Sequence, residues 1–275
     1  MGIALALLSA LSFGLSDFAA GLAARRLHSA VVVFVGQLCG VTLTLGAAFF
    51  VAAPGVSGEA LAWGALSGIG TGLGAAFLFQ AMAVGRFSVV VPLSDVAGVA
   101  IPVLLGVTLL GDRIGVAAWC GFAAAVPALW LMTSSGGPRG GSTDGARWAL
   151  LSGAAFALQY VALARADEAA GLWPLVLNRI VAVLTVAPLA VRRERLRMRG
   201  RTAVLALASG VLGTTAIAAY LLSTRLEALS ISVVLTSLYP AVPVLLGLTF
   251  LHERLTRRQV AGLACATATV LLISL

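Results

Sequence analysis

The sequence has few charged residues and no lysine at all. Charged residues make up 10% of its 275 residues, whereas apolar residues make up 60%. A soluble domain carries about a quarter charged residues, so this chain has too few to cover a surface that faces water. This shortage excludes a soluble globular protein and predicts that the lipid bilayer surrounds the chain.

Cysteine and histidine are also scarce. The cysteines Cys39, Cys120 and Cys265 lie singly in different apolar stretches, and no C-x-x-C pair occurs. The two histidines, His28 and His252, form no H-E-x-x-H motif, and no Walker motif for ATP is present. We therefore predict no metal site, no disulfide framework and no cofactor, and we expect that the protein is not an enzyme.

The net charge of +8 comes from 18 arginines and 10 acidic residues. An excess of basic residues is compatible with nucleic-acid binding, but these arginines are scattered over the connections between apolar stretches. Basic connections of this kind are typical of membrane proteins. The predicted partner is the lipid bilayer of the cell (inner) membrane, which the chain crosses several times, and no nucleic-acid partner is expected.

Long apolar runs fill most of the chain. A membrane span needs about 20 mainly apolar residues, and this length predicts ten spans. They lie at residues 2–23, 29–52, 60–83, 87–110, 114–133, 147–165, 172–191, 202–224, 229–251 and 258–274.

Residues 101–113 (IPVLLGVTLLGDR) return as residues 242–254 (VPVLLGLTFLHER), with eight of thirteen positions identical. A repeat of this length indicates a duplicated unit. A Gly/Ser/Pro-rich run at residues 134–145 separates five spans from five, and an odd number of spans inverts the second copy. The predicted fold is an all-α integral membrane protein with ten transmembrane helices in two inverted five-helix repeats. The repeats cover residues 1–133 and 147–275, with a linker at residues 134–146.

Three features carry a family resemblance: FGLSDFAAGLAARR at residues 13–26, a Gly-rich third span, and the paired GDR and HER endings of spans four and nine. Together they resemble the EamA branch of the drug/metabolite transporter superfamily. The resemblance implies a basket in which helices 1–4 and 6–9 surround a central cavity, with helices 5 and 10 outside. It also implies transport of amino acids, other small metabolites, drugs or nucleotide sugars.

Ionisable residues inside spans are costly and usually face a cavity or a partner. The spans contain Asp17, Asp95 and Arg179, and the repeat aligns them with Tyr160, Tyr239 and Gln37, respectively. We predict that a guanidinium grips a substrate carboxylate or phosphate, although an ion pair with either aspartate or snorkelling to the interface would also explain Arg179. The predicted substrate-binding set is Arg179, Asn178, Gln37, Gln80, Tyr160, Tyr220, Tyr239 and Ser94.

The two buried carboxyl groups are candidates for proton coupling. Removal from water favours the neutral form of a carboxyl group, so such a group can load and release a proton as a cavity opens to each side. Asp95 is the stronger candidate, because Asp17 lies closer to the predicted membrane edge, where hydration would explain it equally well. A proton is therefore a possible coupling ion.

Prolines mark the fourth span of each repeat: Pro92, Pro102, Pro240 and Pro243. Proline removes a helical hydrogen bond and kinks a span, so these residues form either hinges for alternating access or static kinks. Glycines in the third span recur every four residues from Gly64 to Gly72 and at Gly70 and Gly74. They predict a smooth face for helix packing rather than a nucleotide-binding loop.

These patterns predict a secondary transporter that exports small organic metabolites, such as amino acids or related solutes, by alternating access through a central cavity. The alternatives are efflux of drugs or toxic compounds and, in a different class, a non-transporting membrane scaffold.

Overall fold

A computed structural model gives the fold and describes residues 1–105, 115–133, 142–163, 165–193, 200–226, 232, 235–236 and 238–274. We number its α-helices in chain order: α1 (Gly2–Ala24), α2 (Ser29–Ala48), α3 (Gly58–Val84), α4 (Phe87–Leu105), α5 (Val116–Thr133), α6 (Ser142–Leu163), α7 (Trp173–Arg193), α8 (Arg201–Leu226), α9 (Ala241–Phe250) and α10 (Arg257–Ser274). A 3₁₀ helix, Glu168–Ala170, lies between α6 and α7. Within these ranges no β-strand occurs, so the predicted all-α class is confirmed.

Six of the described helices are long and apolar enough to cross a bilayer. They are Gly2–Ala24, Ser29–Ala48, Gly58–Val84, Gly145–Leu163, Trp173–Val191 and Arg201–Tyr220. Two shorter apolar helices, Phe87–Gly98 and Ala241–Phe250, accompany them. Large apolar side chains such as Leu184 and Leu207 are exposed, as side chains that contact lipid must be. The chain is therefore a multi-pass membrane protein.

The ninth span is interrupted by a turn at residues 238–240. The predicted span starts at residue 229; residues 232, 235 and 236 are helical, and helix α9 begins at Ala241, directly after Pro240. Tyr239 N donates to Thr236 O at 3.0 Å and Val242 N donates to Tyr239 O at 3.1 Å, which are tight three-residue bonds. Proline has no N–H, so Pro240 and Pro243 cannot donate the usual four-residue bonds to those two carbonyls.

The helices pack in a regular set of pairs. Helix α1 packs along α8, and α3 packs between α6 and α7. Helix α2 contacts both α7 and α8, α4 packs on α6, and α5 packs on α10. Most of the large contacts therefore join a helix of the first five to a helix of the last five.

The glycine face of α3 is a packing surface, as predicted. A Cβ at Gly68 would lie 2.5 Å from the Asn178 carbonyl oxygen of α7, and one at Gly72 would lie 2.9 Å from that of Ala182. On the other side of α3, a Cβ at Gly70 would lie 2.6 Å from the Ala155 carbonyl oxygen of α6. Only glycine permits both close approaches, so α3 holds α6 and α7 at the centre of the bundle.

Candidate functional site: a polar cavity between the two halves

A cavity of about 770 Å³ lies at the centre of the bundle. Its lining comes from α1, α2, α3, α4, α6, α7, α8, the residues just before α9, and Val270 of α10. The connection between α6 and α7 also lines it, including the exposed residue Asp167. The cavity therefore reaches the protein surface at this connection, residues 165–172, which we call the mouth.

Among the described residues the opposite end of the bundle is closed, and we call it the sealed end. There the turns at residues 25–28, 85–86 and 251–256 contact one another directly. The large side chains just inside these turns, Met82 and Phe87, are completely buried. The cavity is thus open towards one end of the helices and shut towards the other.

Arg179 lies on the first turns of α7 and faces α2. Its terminal nitrogen donates to Gln37 Oε1 at 2.7 Å, and its Nε is buried without a hydrogen-bond partner among the described residues. Gly40 opposite leaves space, because a Cβ there would stay 3.7 Å from Nε. The described residues contain no ion pair between Arg179 and Asp17 or Asp95. The guanidinium therefore keeps donor capacity for a further anionic or acceptor group.

Asp95 presents a carboxyl group from the middle of α4. The Tyr239 hydroxyl donates to its Oδ1, and the Tyr239 ring packs against Phe13 with ring centroids 5.8 Å apart. Its Oδ2 is buried and has no hydrogen-bond partner in the described part of the chain. Tyr239 thus orients one oxygen of the carboxyl group and leaves the other available.

Asp17 and Tyr160 complete this wall of the cavity. Asp17 interacts electrostatically with Asp95, and Tyr160 interacts with both aspartates. Tyr160 is 48% exposed, so its ring lies against the open space of the cavity. Two carboxyl groups on this wall and one guanidinium on the α2–α7 wall give the cavity both signs of charge.

Residues 144–275 match the model of the EamA-like transporter family. The second half of the chain therefore belongs to this family. A solved chain described only as "Crystal structure of protein" matches this EamA-like protein with a TM-score of 0.61 and 16% identity, covering 98% of this chain and 97% of that chain. At this identity the likeness shows the fold alone. No curated protein matches the sequence.

The cavity of this EamA-like protein brings together most of the residues singled out from the sequence. Ten of them line it: Asp17, Gln37, Ser94, Asp95, Tyr160, Asn178, Arg179, Tyr220, Tyr239 and Pro240. Gln80 lies outside the lining, because its neighbours Leu78 and Phe79 face the cavity while its amide oxygen accepts from Ser29 Oγ at 3.4 Å. Pro92 and Pro243 are buried in α4 and α9, and Pro102 lies near the end of α4.

Two of the lining residues make their hydrogen bonds within the protein. The Asn178 amide donates to Ser67 Oγ at 2.7 Å and Thr71 Oγ1 at 2.8 Å, and only 1% of the residue is exposed. Ser94 is completely buried and donates to Ser152 Oγ at 2.9 Å. Both residues tie cavity helices to their neighbours, so their main contribution in this state is to the wall itself.

Sequence reasoning missed several polar residues of the cavity, among them Gln159 and Thr236. Gln159 Oε1 and Thr236 Oγ1 are both buried lining atoms without a hydrogen-bond partner among the described residues. The repeat contained a signal for Gln159, because the offset of 142 residues that aligns Gln37 with Arg179 also aligns Asp17 with Gln159. Thr236 carries no such signal, since threonine is common in apolar helices.

The endings of the fourth and ninth spans lie away from the cavity where they are described. Glu253 and Arg254 belong to the sealed end, whereas Asp112 and Arg113 lie outside the described residues. Among the described residues, no group of three His, Cys, Asp or Glu side chains is placed to hold a metal ion. The chemistry available at the site is therefore that of hydrogen bonding, charge and proton exchange.

Proposed function

We propose that this EamA-like protein is a secondary transporter that exports small organic solutes by alternating access through the central cavity. The observation that carries the proposal is that Arg179 Nε and Asp95 Oδ2, on residues that line one cavity, both lack hydrogen-bond partners in the described part of the chain. A buried polar atom without a partner costs about 1–3 kcal/mol. A solute that supplies the missing partners would recover this free energy, whereas a static scaffold gains nothing from such atoms.

Alternating access needs two halves that can move against each other. We propose two inverted repeats of five membrane-spanning helices, at residues 1–133 and 147–275 with a linker at residues 134–146, in the cell (inner) membrane. The packing supports this division, because α1 on α8 mirrors α6 on α3, while α2 and α5 pack on their own counterparts, α7 and α10. A two-fold axis in the membrane plane relates helices in this way.

The prolines supply the proposed hinges. Pro240 and Pro243 leave the chain before and within α9 with only three-residue hydrogen bonds around Tyr239. Fewer helical bonds make this segment easier to bend, and Tyr239 links the bend to Asp95. Pro92 and Pro102 take the equivalent role in α4.

We propose that Asp95, assisted by Asp17, couples transport to a proton gradient. Asp95 lines the cavity, and its Oδ2 has no hydrogen-bond partner among the described residues, so it can exchange a proton with water there. Burial favours the neutral, protonated form of a carboxyl group, so Asp95 would keep its proton while the cavity is closed and release it where the cavity opens to water.

The separated charges favour solutes that carry both signs, such as amino acids or related metabolites. The guanidinium of Arg179 suits a carboxylate, while the wall with Asp17 and Asp95 suits an ammonium group. A second candidate, efflux of cationic drugs, is favoured by the aromatic lining residues Phe13, Phe79 and Phe156 beside these carboxyl groups, because aromatic faces attract cations.

The test is a stabilisation screen followed by transport in liposomes. Purified protein is heated with amino acids, nucleosides and cationic drugs, and each stabilising solute is then tested for uptake into proteoliposomes under a pH gradient. We expect at least one transported solute. For a solute with a carboxylate, Arg179→Gln should weaken binding about tenfold or more, as loss of a charged hydrogen bond predicts.

The matched control is Arg165→Gln, which removes an exposed arginine at the mouth. It should leave binding unchanged. Stabilisation without transport for every solute in the screen would contradict the proposal and favour a non-transporting scaffold. Transport of cations alone, unaffected by Arg179→Gln, would favour drug efflux.

A further inference from the structure

The sealed end contains a carboxylate that joins the two halves of the chain. Glu253 follows α9, and its Oε1 accepts a hydrogen bond from Phe87 N at 3.0 Å. Its Oε2 accepts from Ser88 N at 3.0 Å and from Ser88 Oγ at 2.7 Å. A residue of the second half thus caps the first turn of α4, where a helix favours negative charge.

Arg25, at the end of α1, lies against the same carboxylate. Its guanidinium is 3.6 Å from Glu253 Oε1 and lies over the Phe87 ring, 4.7 Å from the centroid. The Glu253 side chain is only 6% exposed, so water screens this ion pair weakly. Close beside it, Arg86 donates to the Arg254 carbonyl oxygen at 2.7 Å. Three helix ends are therefore held together by charge-assisted bonds.

The backbone around Glu253 is shaped for this contact. His252 adopts a left-handed conformation with φ 52°, and Glu253 N donates to Gly247 O at 3.1 Å. A Cβ at Gly247 would lie 2.9 Å from Glu253 Oε2 and 3.3 Å from the Phe87 Cβ. A glycine at this position of the repeated segment therefore lets the carboxylate reach α4.

An apolar layer lies between these bonds and the cavity. Met82 and Phe87 are completely buried against α1 at Gly21, where a Cβ would lie 2.5 Å from the Phe87 ring and 2.6 Å from the Met82 sulfur. The cavity lining on α3 reaches Phe79 and stops short of Met82. Solute has no polar route through this layer while the helix ends stay together.

We propose that Glu253, Arg25 and Ser88 form the latch of a gate, which holds the cavity shut at the sealed end and must break for the cavity to open there. This inference rests on the proposed transport function. The latch joins the residues after α9 to the start of α4 and to the end of α1. Its separation would therefore free the apolar layer beneath it. The bound α4 N-terminus and Arg25 make the closed state the stable one when the cavity is empty.

The test measures opening of the sealed end directly. In a variant with Cys39, Cys120 and Cys265 changed to serine, Ser209→Cys is the reporter, because Ser209 lines the cavity on α8, away from the latch. A membrane-impermeant thiol reagent is added to one side of proteoliposomes. Two further cysteine variants identify which side is labelled. Arg26→Cys marks the sealed end. Val56→Cys marks the mouth side, because exposed Val56 lies in the α2–α3 connection, where Gly55 N donates to Ala169 O of the mouth.

With Glu253→Gln we expect labelling of the reporter from the sealed side to become about tenfold faster, since charged hydrogen bonds are lost from the closed state only. Ser88→Ala, which removes one of those bonds, should give a smaller increase. The matched control, Glu59→Gln, changes an exposed glutamate that accepts a hydrogen bond from Trp63. Its reporter should be labelled at the same rate as in the protein without latch substitutions.

Folding is checked by helical circular dichroism and by elution as a single species. If Glu253→Gln folds and labelling from the sealed side is unchanged, the latch proposal is overturned; Ser88→Ala decides in the same way if Glu253→Gln does not fold. If Glu253→Gln raises labelling but the unmodified protein transports no solute, the latch proposal stands and the proposed transport function fails. If the unmodified protein transports a solute but Glu253→Gln leaves labelling unchanged, the transport function stands and the latch proposal fails.

Discussion

Met82 and Phe87 at the sealed end are completely buried, whereas Tyr160, on the cavity wall, leaves 48% of its surface exposed. Both regions come from strongly apolar helices, so composition does not explain the difference in exposure. The difference comes from small residues, because α1 presents Ala20, Gly21 and Ala24 at the sealed end. Large side chains of other helices close over this flat surface, while the polar and aromatic residues of the cavity keep the helices apart.

The two regions also treat polar groups differently. At the sealed end both oxygens of Glu253 accept hydrogen bonds. In the cavity one oxygen of Asp95 and one nitrogen of Arg179 lack partners among the described residues. Satisfied polar groups fix a structure, and unsatisfied ones leave a place for a ligand. The comparison supports a holding role for Glu253 at the sealed end and the proposed binding role for Asp95 and Arg179 in the cavity.

Asp95→Asn should have the largest effect, because it removes the proposed proton site while keeping the shape of the side chain. We expect transport driven by a pH gradient to be abolished in proteoliposomes, with solute binding still measurable by thermal stabilisation. Glu59→Gln, which neutralises an exposed carboxylate outside the cavity, is the control and should transport normally. Unchanged gradient dependence in Asp95→Asn would show that Asp95 does not couple the proton.

For four of the predicted site residues, the repeat supplied a second observation besides polarity. Arg179, Gln37, Asp95 and Tyr239 were each polar, inside a span and aligned with a polar partner, and all four line the cavity. Gln80 had only its polarity, and polarity inside a span does not say which neighbour a helix face meets. It bonds to Ser29 instead.

The sealed end was much harder to predict. In the sequence the HER ending carried only a family resemblance, whereas in the structure the Glu253 carboxylate caps α4, more than 160 residues earlier in the chain. Contacts of this kind depend on how the helices assemble, and no local pattern contains that information. The interruption before α9 has a local cause in Pro240 and Pro243, but a hydropathy window does not detect missing N–H groups.

Gly21→Ala should have the next largest effect, because the added methyl group meets the closed layer at the sealed end. Its Cβ would lie 2.5 Å from the Phe87 ring, which Arg25 holds from above. Overpacking of this kind costs about 1–3 kcal/mol, so the thermal unfolding temperature in detergent should fall. At Gly46 nothing lies within 4 Å of the new atom, and Gly46→Ala should unfold at or above the original temperature. Equal behaviour of the two variants would mean that the sealed end is loosely packed.

Ser152→Ala should have the smallest effect, because it tests the boundary between the cavity wall and the packed bundle. Ser152 is completely buried, accepts from Ser94 and donates to the Gly74 carbonyl oxygen at 2.8 Å. Hydrogen bonds between membrane helices contribute about 0.6 kcal/mol on average, so the loss of two should lower the free energy of unfolding by roughly 1 kcal/mol. Thr215→Ala removes an exposed bond within one helix and should change nothing measurable. A much larger loss for Ser152→Ala would place this part of the wall with the sealed end, since an open cavity would let water replace the missing hydroxyl.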